Sequence, residues 1–233
     1  MAVSGDTTFN LVGNDLVQEA YQLCGLDSEG EAITAKMYTD GRRSLNLILK
    51  DWGAKERLWL RTEATPLTLV TDTASYALTP DSQKPLRILS VRRRNSDSID
   101  TPMRMLSRQE YFDLPNKTTA GPPVCWYYDP QTTAGTLYVW PRPAAADATE
   151  YTLPYTYLRR MDDIDSSSND ADIPQEWLRA LAYTLATELA LKNGIAGDLR
   201  AEISARAASH VADIEGWDNE TAAIFLMPDD RMC

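Results

Sequence analysis

Apolar positions recur at three- and four-residue steps near both ends of the chain, and at two-residue steps between them. The longest helical run is Pro174 to Asn193. There Trp177, Leu178, Leu181, Leu185 and Leu189 share one face, with Ala182, Ala186 and Ala190 beside them where another helix can approach closely. Pro174 suits a first turn, Asp172 is placed to cap or charge the positive end, and Gly194 ends the run. Asp198 to Ile214 repeats the pattern through Leu199, Ile203, Ala207, Val211 and Ile214, so the short Asn193 to Gly197 link predicts an αα-hairpin.

At the other end, residues 1–12 read as an irregular arm, and Asn14 is expected to cap a helix from Asp15 to Cys24, ended by Gly25. A second helix is expected from about Ile33 to Lys55, with Ile33, Met37, Leu45, Ile48, Leu49 and Trp52 on its buried side and Arg42, Arg43, Lys50 and Lys55 off it. Gly41 interrupts that helix at a cost of about 1 kcal/mol relative to alanine, which predicts either a tight packing contact or a bend. Trp52, Trp177, Leu181, Leu185 and Leu189 are the expected helical core.

Between these ends the pattern is that of strands. Thr65, Leu67 and Leu69, then Tyr76 and Leu78 across a Thr71-Asp72-Thr73 turn, predict a hairpin. Leu86 to Arg93 predicts a strand with Leu86, Ile88 and Ser90 on one face and Leu89 and Val91 on the other; Arg92, Arg93 and Arg94 read as a solvated strand end or, secondarily, a site for a carboxylate or a nucleic-acid backbone. Met103 to Leu106 is a further short strand, Ser107 and Glu110 have capping-box spacing, and Val124 to Tyr128 and Thr136 to Trp140 form a second hairpin. Thr149, Tyr151, Leu153, Tyr155 and Tyr157 alternate along one long strand, which Pro154 assigns to an edge or a bulge. The polar, acidic stretch Asp162 to Asp172 reads as a solvated linker.

The fold class is therefore α+β: a helical bundle made from the N- and C-terminal helices, with an inserted antiparallel β-rich domain of six or seven strands. The expected boundaries are 1–58 for the N-terminal helices, 59–161 for the β-rich insertion, 162–217 for the C-terminal hairpin, and 218–233 for an extended tail.

Composition narrows the chemistry. With 23 Lys and Arg against 34 Asp and Glu the formal charge is −11, opposite to the basic surface of a conventional DNA-binding module. No stretch is apolar enough to span a membrane and the first residues lack the basic and apolar parts of a signal peptide, so a soluble, unexported chain is expected. Cys24, Cys125 and Cys233 suggest two packed thiols and a loose C-terminal one in a reducing compartment. The 162–172 stretch fails as a calcium loop, because Ser168 stands at the glycine position and Pro174 at the bidentate acid. With His210 the single histidine and no Cys-x-x-Cys pair, zinc is not expected, and His210 reads as a boundary packing residue. There is no nucleophile elbow, phosphate loop or dinucleotide fingerprint, so neither enzyme activity nor a cofactor is expected.

The order of the short motifs carries more. Leu-Asn-Leu-Ile-Leu-Lys-Asp-Trp (45–52), Arg-Leu-Trp (57–59), Ser-Tyr-Ala-Leu-Thr-Pro (75–80) and Leu-Arg-Ile-Leu-Ser-Val (86–91) come first. Ser-Arg-Gln-Glu-Tyr-Phe-Asp-Leu-Pro-Asn-Lys (107–117), Gly-Pro-Pro (121–123), Trp-Tyr-Tyr-Asp-Pro-Gln (126–131), Leu-Tyr-Val-Trp-Pro-Arg-Pro (137–143) and Asp-Ile-Pro-Gln-Glu-Trp (172–177) follow. This succession, over about 30–195, resembles the head-to-tail adaptor proteins of tailed double-stranded DNA phages, of the tail accessory factor or head-completion type. The resemblance implies a homo-oligomeric ring, commonly of twelve subunits, docked under the portal protein at the head-tail junction of the virion after assembly in the host cytoplasm. That ring would extend the channel through which genomic DNA passes without sequence-specific binding during ejection, and it would carry the tail nozzle or other tail proteins.

Two working parts are expected from the residues. After Trp217, the apolar Ile224, Phe225, Leu226 and Met227 between acidic ends form a segment for docking on the portal, or one that packs on its own helical hairpin. Part of the negative charge is expected to line the ring's lumen, from the central helices or the 162–172 loop. The alternatives are a tail tubular or other tail-side protein, and a monomeric carbohydrate- or protein-binding module presenting Trp126, Tyr127, Tyr128, Tyr138, Trp140, Tyr151, Tyr155 and Tyr157, of which alternation sends half to the core.

Overall fold

The computed structural model describes residues 5, 9–27, 33–55, 61–80 and 83–217. Its helices are α1 (Gly13–Leu23), α2 (Ala35–Ala54), α3 (Arg108–Phe112), α4 (Ala145–Glu150), α5 (Leu178–Lys192) and α6 (Asp198–Trp217). Its strands are β1 (Arg61–Glu63), β2 (Leu67–Thr68), β3 (Ser75–Leu78), β4 (Arg87–Arg94), β5 (Asp100–Pro102), β6 (Arg104–Met105), β7 (Cys125–Asp129), β8 (Gly135–Trp140), β9 (Thr152–Leu153) and β10 (Tyr155–Leu158). The long helices thus lie toward the two ends of the chain and the mostly antiparallel strands between them, with the short α3 and α4 among the strands, as in an α+β protein. The chain divides into two compact units, one of Met1–Arg57 with Asp162–Cys233 and one of Leu58–Met161.

In the helical unit α5 is the centre. It packs against α1, α2 and α6, and Ala180, Ala182, Ala186 and Ala190 are buried along with Leu178, Leu181, Leu185 and Leu189. A single apolar stripe would serve one neighbour, whereas alanines on the remaining faces let three helices approach. The edge of Trp52 meets the Trp177 ring with centroids 5.4 Å apart. Trp52, Trp177, Leu181, Leu185 and Leu189 are all at most 3% exposed.

The ends of these helices differ from expectation in instructive ways. Pro174 remains extended, with ψ 147, and Gln175–Trp177 form a single 3-10 turn ahead of α5. The Asp172 carboxylate accepts the backbone N–H of Asp162 at 3.0 Å, closing the neck of the 162–172 loop. Asn14 does not cap α1. Val12 is the residue before the helix, Gly13 N–H donates to Asn169 O at 2.8 Å, and Asn14 sits within the first turn with its buried Oδ1 unpartnered. The loop supplies the acceptor that a side chain would otherwise give. Helix α2 starts after Ile33 because Thr34 accepts from Met37 N–H at 3.2 Å, and Ile33 and Met37 are only half-buried. It passes Gly41 unbroken, since that glycine is a packing contact: a Cβ there would lie 2.5 Å from Val17 Cγ1. On α6, Ile203, Ala207 and Val211 are buried but Leu199 is exposed.

The acidic stretch is not a solvated linker. Ile164 and Ala171 are buried, and the side-chain amide of Asn46 pairs with both backbone groups of Ile164, donating to its O at 3.0 Å and accepting from its N–H at 2.9 Å. Lys50 reaches Asp163 at 2.6 Å, and Val12 bridges Asp170. The charged residues hid a strap fastened to α1 and α2.

The β unit holds a six-stranded sheet, ordered β1-β10-β4-β9-β2 with β5 also on β4, and a four-stranded sheet, β3-β8-β7-β6. Three expectations fail here. The 65–78 stretch is no hairpin: β2 pairs with β9 and β3 with β8, in different sheets. The long strand from Thr149 is interrupted: Thr149 belongs to α4, and Pro154 divides β9 from β10. Helix α4 starts where Asp147 accepts Ala144 N–H at 3.1 Å, a signal the aromatic alternation obscured. On β4, Ile88 and Val91 are buried together and Ser90 is exposed. The pairing with β10 jumps between Thr156 and Tyr157, so Leu89 has no partner and the bulge returns Val91 to the face of Ile88.

The β7–β8 hairpin forms with a two-residue alternation. Trp126, Leu137 and Val139 join a core that draws from both sheets, including Ile88, Leu153, Tyr155 and Tyr157. The opposite face carries Tyr127, Tyr138 and Trp140, covered by Tyr111 of α3. That short helix begins with the expected capping box of Ser107 and Glu110. Strand β6 pairs with β7 in parallel and Ala120 bridges Arg142 in parallel, while the other strand pairs among the described residues are antiparallel.

Candidate functional site

Charge separates as sharply as secondary structure does. The unit containing both chain ends has 11 Lys and Arg against 24 Asp and Glu, a net of −13, while residues 58–161 have 12 against 10, a net of +2. The sequence total of −11 hid this partition.

The arginines of the β unit are largely committed. Arg94 grips Asp100 through Nε at 2.7 Å and Nη2 at 2.8 Å, Arg92 pairs with Glu63, and Arg93 lies 4.8 Å over the Tyr151 ring while donating to Pro123 O. The hydrogen bonds from Arg94 hold the Asp100 carboxyl below the usual carboxylate range. The run is therefore a carboxylate-paired fastening, and the solvated strand end first expected of it is corrected.

The aromatic residues offer no open binding face. Trp126, Tyr127, Tyr155 and Tyr157 are buried, and Tyr128, Tyr138, Trp140 and Tyr151 are half-buried against the same cores. Tyr127 stacks on Tyr138 with centroids 5.8 Å apart and on Tyr111 at 5.7 Å, so ring faces that would meet a sugar meet each other. Tyr128 donates its hydroxyl to Pro85 O at 2.7 Å, and burial pushes its pKa up to about 12.

His210 is half-buried with its ring 5.0 Å from that of Tyr183, as a packing residue. Cys24 is buried and donates to Ala186 O at 3.2 Å, and burial pushes its thiol up to about 11; Cys125 is half-buried, and burial raises it too. Cys233 lies outside the described residues. Among the described residues no three His, Cys, Asp or Glu side chains are grouped to hold a metal ion, and no helix is long and apolar enough to cross a membrane.

A concave feature that the apolar pattern does not announce is a groove over α5, between α2 and α6. One lobe, of about 350 Å³, is lined by Trp52, Thr184, Glu188, Ser204, Ala208 and Ala212 among others, and reaches Glu215. A second, of about 270 Å³, is lined by Ser44, Leu47, Ile48, Asp51 and Lys192. Both lobes share Trp52, Thr184 and Glu188, so they run into one another. Its signal in the sequence is the four-residue spacing of Ser204, Ala208 and Ala212, small residues that leave α6 without side chains to close the gap. The expected docking residues Ile224, Phe225, Leu226 and Met227 lie outside the described residues, as does the side chain of Trp217.

Comparison with known proteins agrees with the order of the motifs. A family model described as SU10 adaptor protein matches residues 15–224, through both units. Among solved structures, the chain is similar to one in the neck of an empty GTA particle computed with C6 symmetry. The identity is 12%, the match covers 73% of this chain and 74% of that one, and the TM-score is 0.29. No curated protein matches.

Proposed function

Since the chain belongs to the SU10 adaptor protein family, the head-to-tail adaptor family its motifs resemble, we propose that it forms a ring, of twelve copies, under the portal of a tailed phage. The ring extends the DNA channel and presents the platform on which tail proteins assemble. The helices of both chain ends make one bundle in each subunit, and the inserted β unit is a separate body. The observation that carries this reading is the extent of the family match, which spans both units. The work is structural, with no catalytic residue, metal or cofactor taking part.

The charge partition gives the two bodies different tasks. A surface of net −13 per subunit repels the phosphate backbone, so the helical unit faces the lumen and DNA slides past it without adhering. On the portal side the docking segment is Trp217 with Ile224, Phe225, Leu226 and Met227, whose apolar residues act as anchors.

Native mass spectrometry of the protein alone and mixed with the portal of its own phage tests this. The expected result is a monomer that joins the portal with one copy per portal subunit. Failure of two folded proteins to associate would overturn the portal-side assignment and favour a tail-side position.

A further inference from the structure

The two sheets of the β unit end differently. In the six-stranded sheet Ala64 N–H donates to Tyr155 O, so the residues of β1 whose backbone groups point away from β10 are Arg61 and Glu63. By the same alternation, with Met103 N–H on Val91 O, those of β5 that point away from β4 are Asp100 and Pro102. Pro66 directly precedes β2. Charge and proline at outward positions are what keep a sheet edge from accepting another strand.

The four-stranded sheet lacks these guards. Val139 N–H donates to Ala74 O, so Tyr76 and Leu78 bond to β8 while the backbone groups of Ser75 and Ala77 face outward. Both residues are exposed, and Ser75–Leu78 contains neither charge nor proline. At the other end Arg104 N–H donates to Val124 O and Leu106 N–H to Trp126 O, which turns the N–H and C=O of Met105 outward. The Met105 side chain is 56% exposed, and Arg104 is drawn to Glu110 at 3.1 Å. Among the described residues the outward backbone groups of Ser75, Ala77 and Met105 have no hydrogen-bond partner.

These two ends fit each other. Strands β3 and β7 both run antiparallel to β8, and β6 runs parallel to β7, so β3 and β6 point the same way. Copies related by rotation about an axis along the strands would bring them together in parallel. In a parallel pair one residue's N–H and C=O bond to the two residues flanking its opposite, and here one outward residue on β6 meets two on β3. The faces agree too. Met105 lies opposite Trp126 and Tyr76 opposite Leu137, and Trp126, Tyr76 and Leu137 all belong to the core between the sheets.

Charge selects a second copy as the occupant. Helical units of net −13 repel one another, whereas β units of net +2 can approach. Two unlike open ends on one sheet are what a head-to-tail contact between identical subunits needs.

We propose that the four-stranded sheet of one copy continues into that of the next, β6 receiving β3 in parallel with Met105 opposite Tyr76. Met105 N–H then donates to Ser75 O of the neighbouring copy, whose Ala77 N–H donates to Met105 O. This rests on the ring reading above and names the strands that join its subunits.

Hydrogen exchange resolved to single amides tests it, on the full-length protein alone and assembled with the portal of its own phage. The Ala77 and Met105 amides should exchange at least tenfold slower in the assembly, with Tyr76, bonded to β8 in both states, as the internal reference. No difference between the two states would sink the proposal and leave the ring standing; a protein that never joins the portal would remove both. Disulfide trapping identifies the neighbour. Ser75→Cys and Arg104→Cys, at exposed positions opposite one another in the proposed register, are combined in one chain. Cys125→Ser removes the thiol beside position 104 on β7, and Cys233→Ser the C-terminal one. Oxidation of the assembly should link two, three and more copies. Absence of linked copies contradicts the proposal, as does an equal yield from Ser75→Cys alone, which would pair β3 with itself.

Discussion

Asn46 and Ile164, 118 residues apart, pair as two strand residues do: the side-chain amide of one takes both backbone hydrogen bonds of the other, at 3.0 and 2.9 Å. The pairing fixes the returning chain on α2 where it re-enters the helical unit. Asn46→Ala should destabilise the protein by about 2–4 kcal/mol, because two backbone groups of a buried residue lose their partners at once. Asn46→Asp should cost less, since the acceptor survives. Urea unfolding followed by circular dichroism measures both.

Gly41→Ala should destabilise by about 1–3 kcal/mol, although alanine is the better helix former, because the added methyl meets Val17 Cγ1 at 2.5 Å. The double variant Gly41→Ala with Val17→Ala should recover part of that loss. A double-mutant cycle of unfolding free energies reads the coupling, and strict additivity would show that the two residues do not compete for space.

Cys24 makes stability depend on alkaline pH. Burial pushes its thiol up to about 11 in the folded protein from an ordinary value of 9.0, so between those values the unfolded chain releases a proton that the folded chain keeps. The contribution is complete below pH 9 and is lost as pH rises through 11. Burial also raises Tyr21, Tyr76, Tyr111, Tyr127 and Tyr128, so the informative quantity is a difference. Wild type should lose more stability than Cys24→Ala between about pH 8 and 10.5, measured as urea midpoints.

Gly135→Ala should cost about 1–3 kcal/mol, since a methyl at the start of β8 would occupy the space of the Tyr128 ring. Tyr128→Phe should cost about 1 kcal/mol, by removing the hydroxyl that satisfies Pro85 O. Thermal unfolding of the two variants should rank them in that order.

What the pattern of apolar residues conveyed was faces, and what it lacked was partners. Leu181, Leu185 and Leu189 were legible because a helix imposes its period locally. The pairing of β2 with β9 and of β3 with β8 was not, since Leu153 and Leu137 are remote in sequence from Leu67 and Tyr76. The faces of β4 were misread because its bulge is set by the partner strand, which no local period records. The carboxylates of 162–172 suggest a linker, yet Ile164 and Ala171 fasten the segment as a strap. The groove went unnoticed because small residues at helical spacing announce close packing and an unfilled gap equally well.

Helix α5 packs on α1 and α2, yet the whole β unit is encoded between them. On a ribosome working at about 5–20 residues per second, the apolar faces of α1 and α2 emerge several seconds or more before their partner is made. The middle of the chain can fold while its beginning is still waiting. Leu16, Leu45 and Leu49 are therefore the surface a chaperone would meet first on the nascent chain.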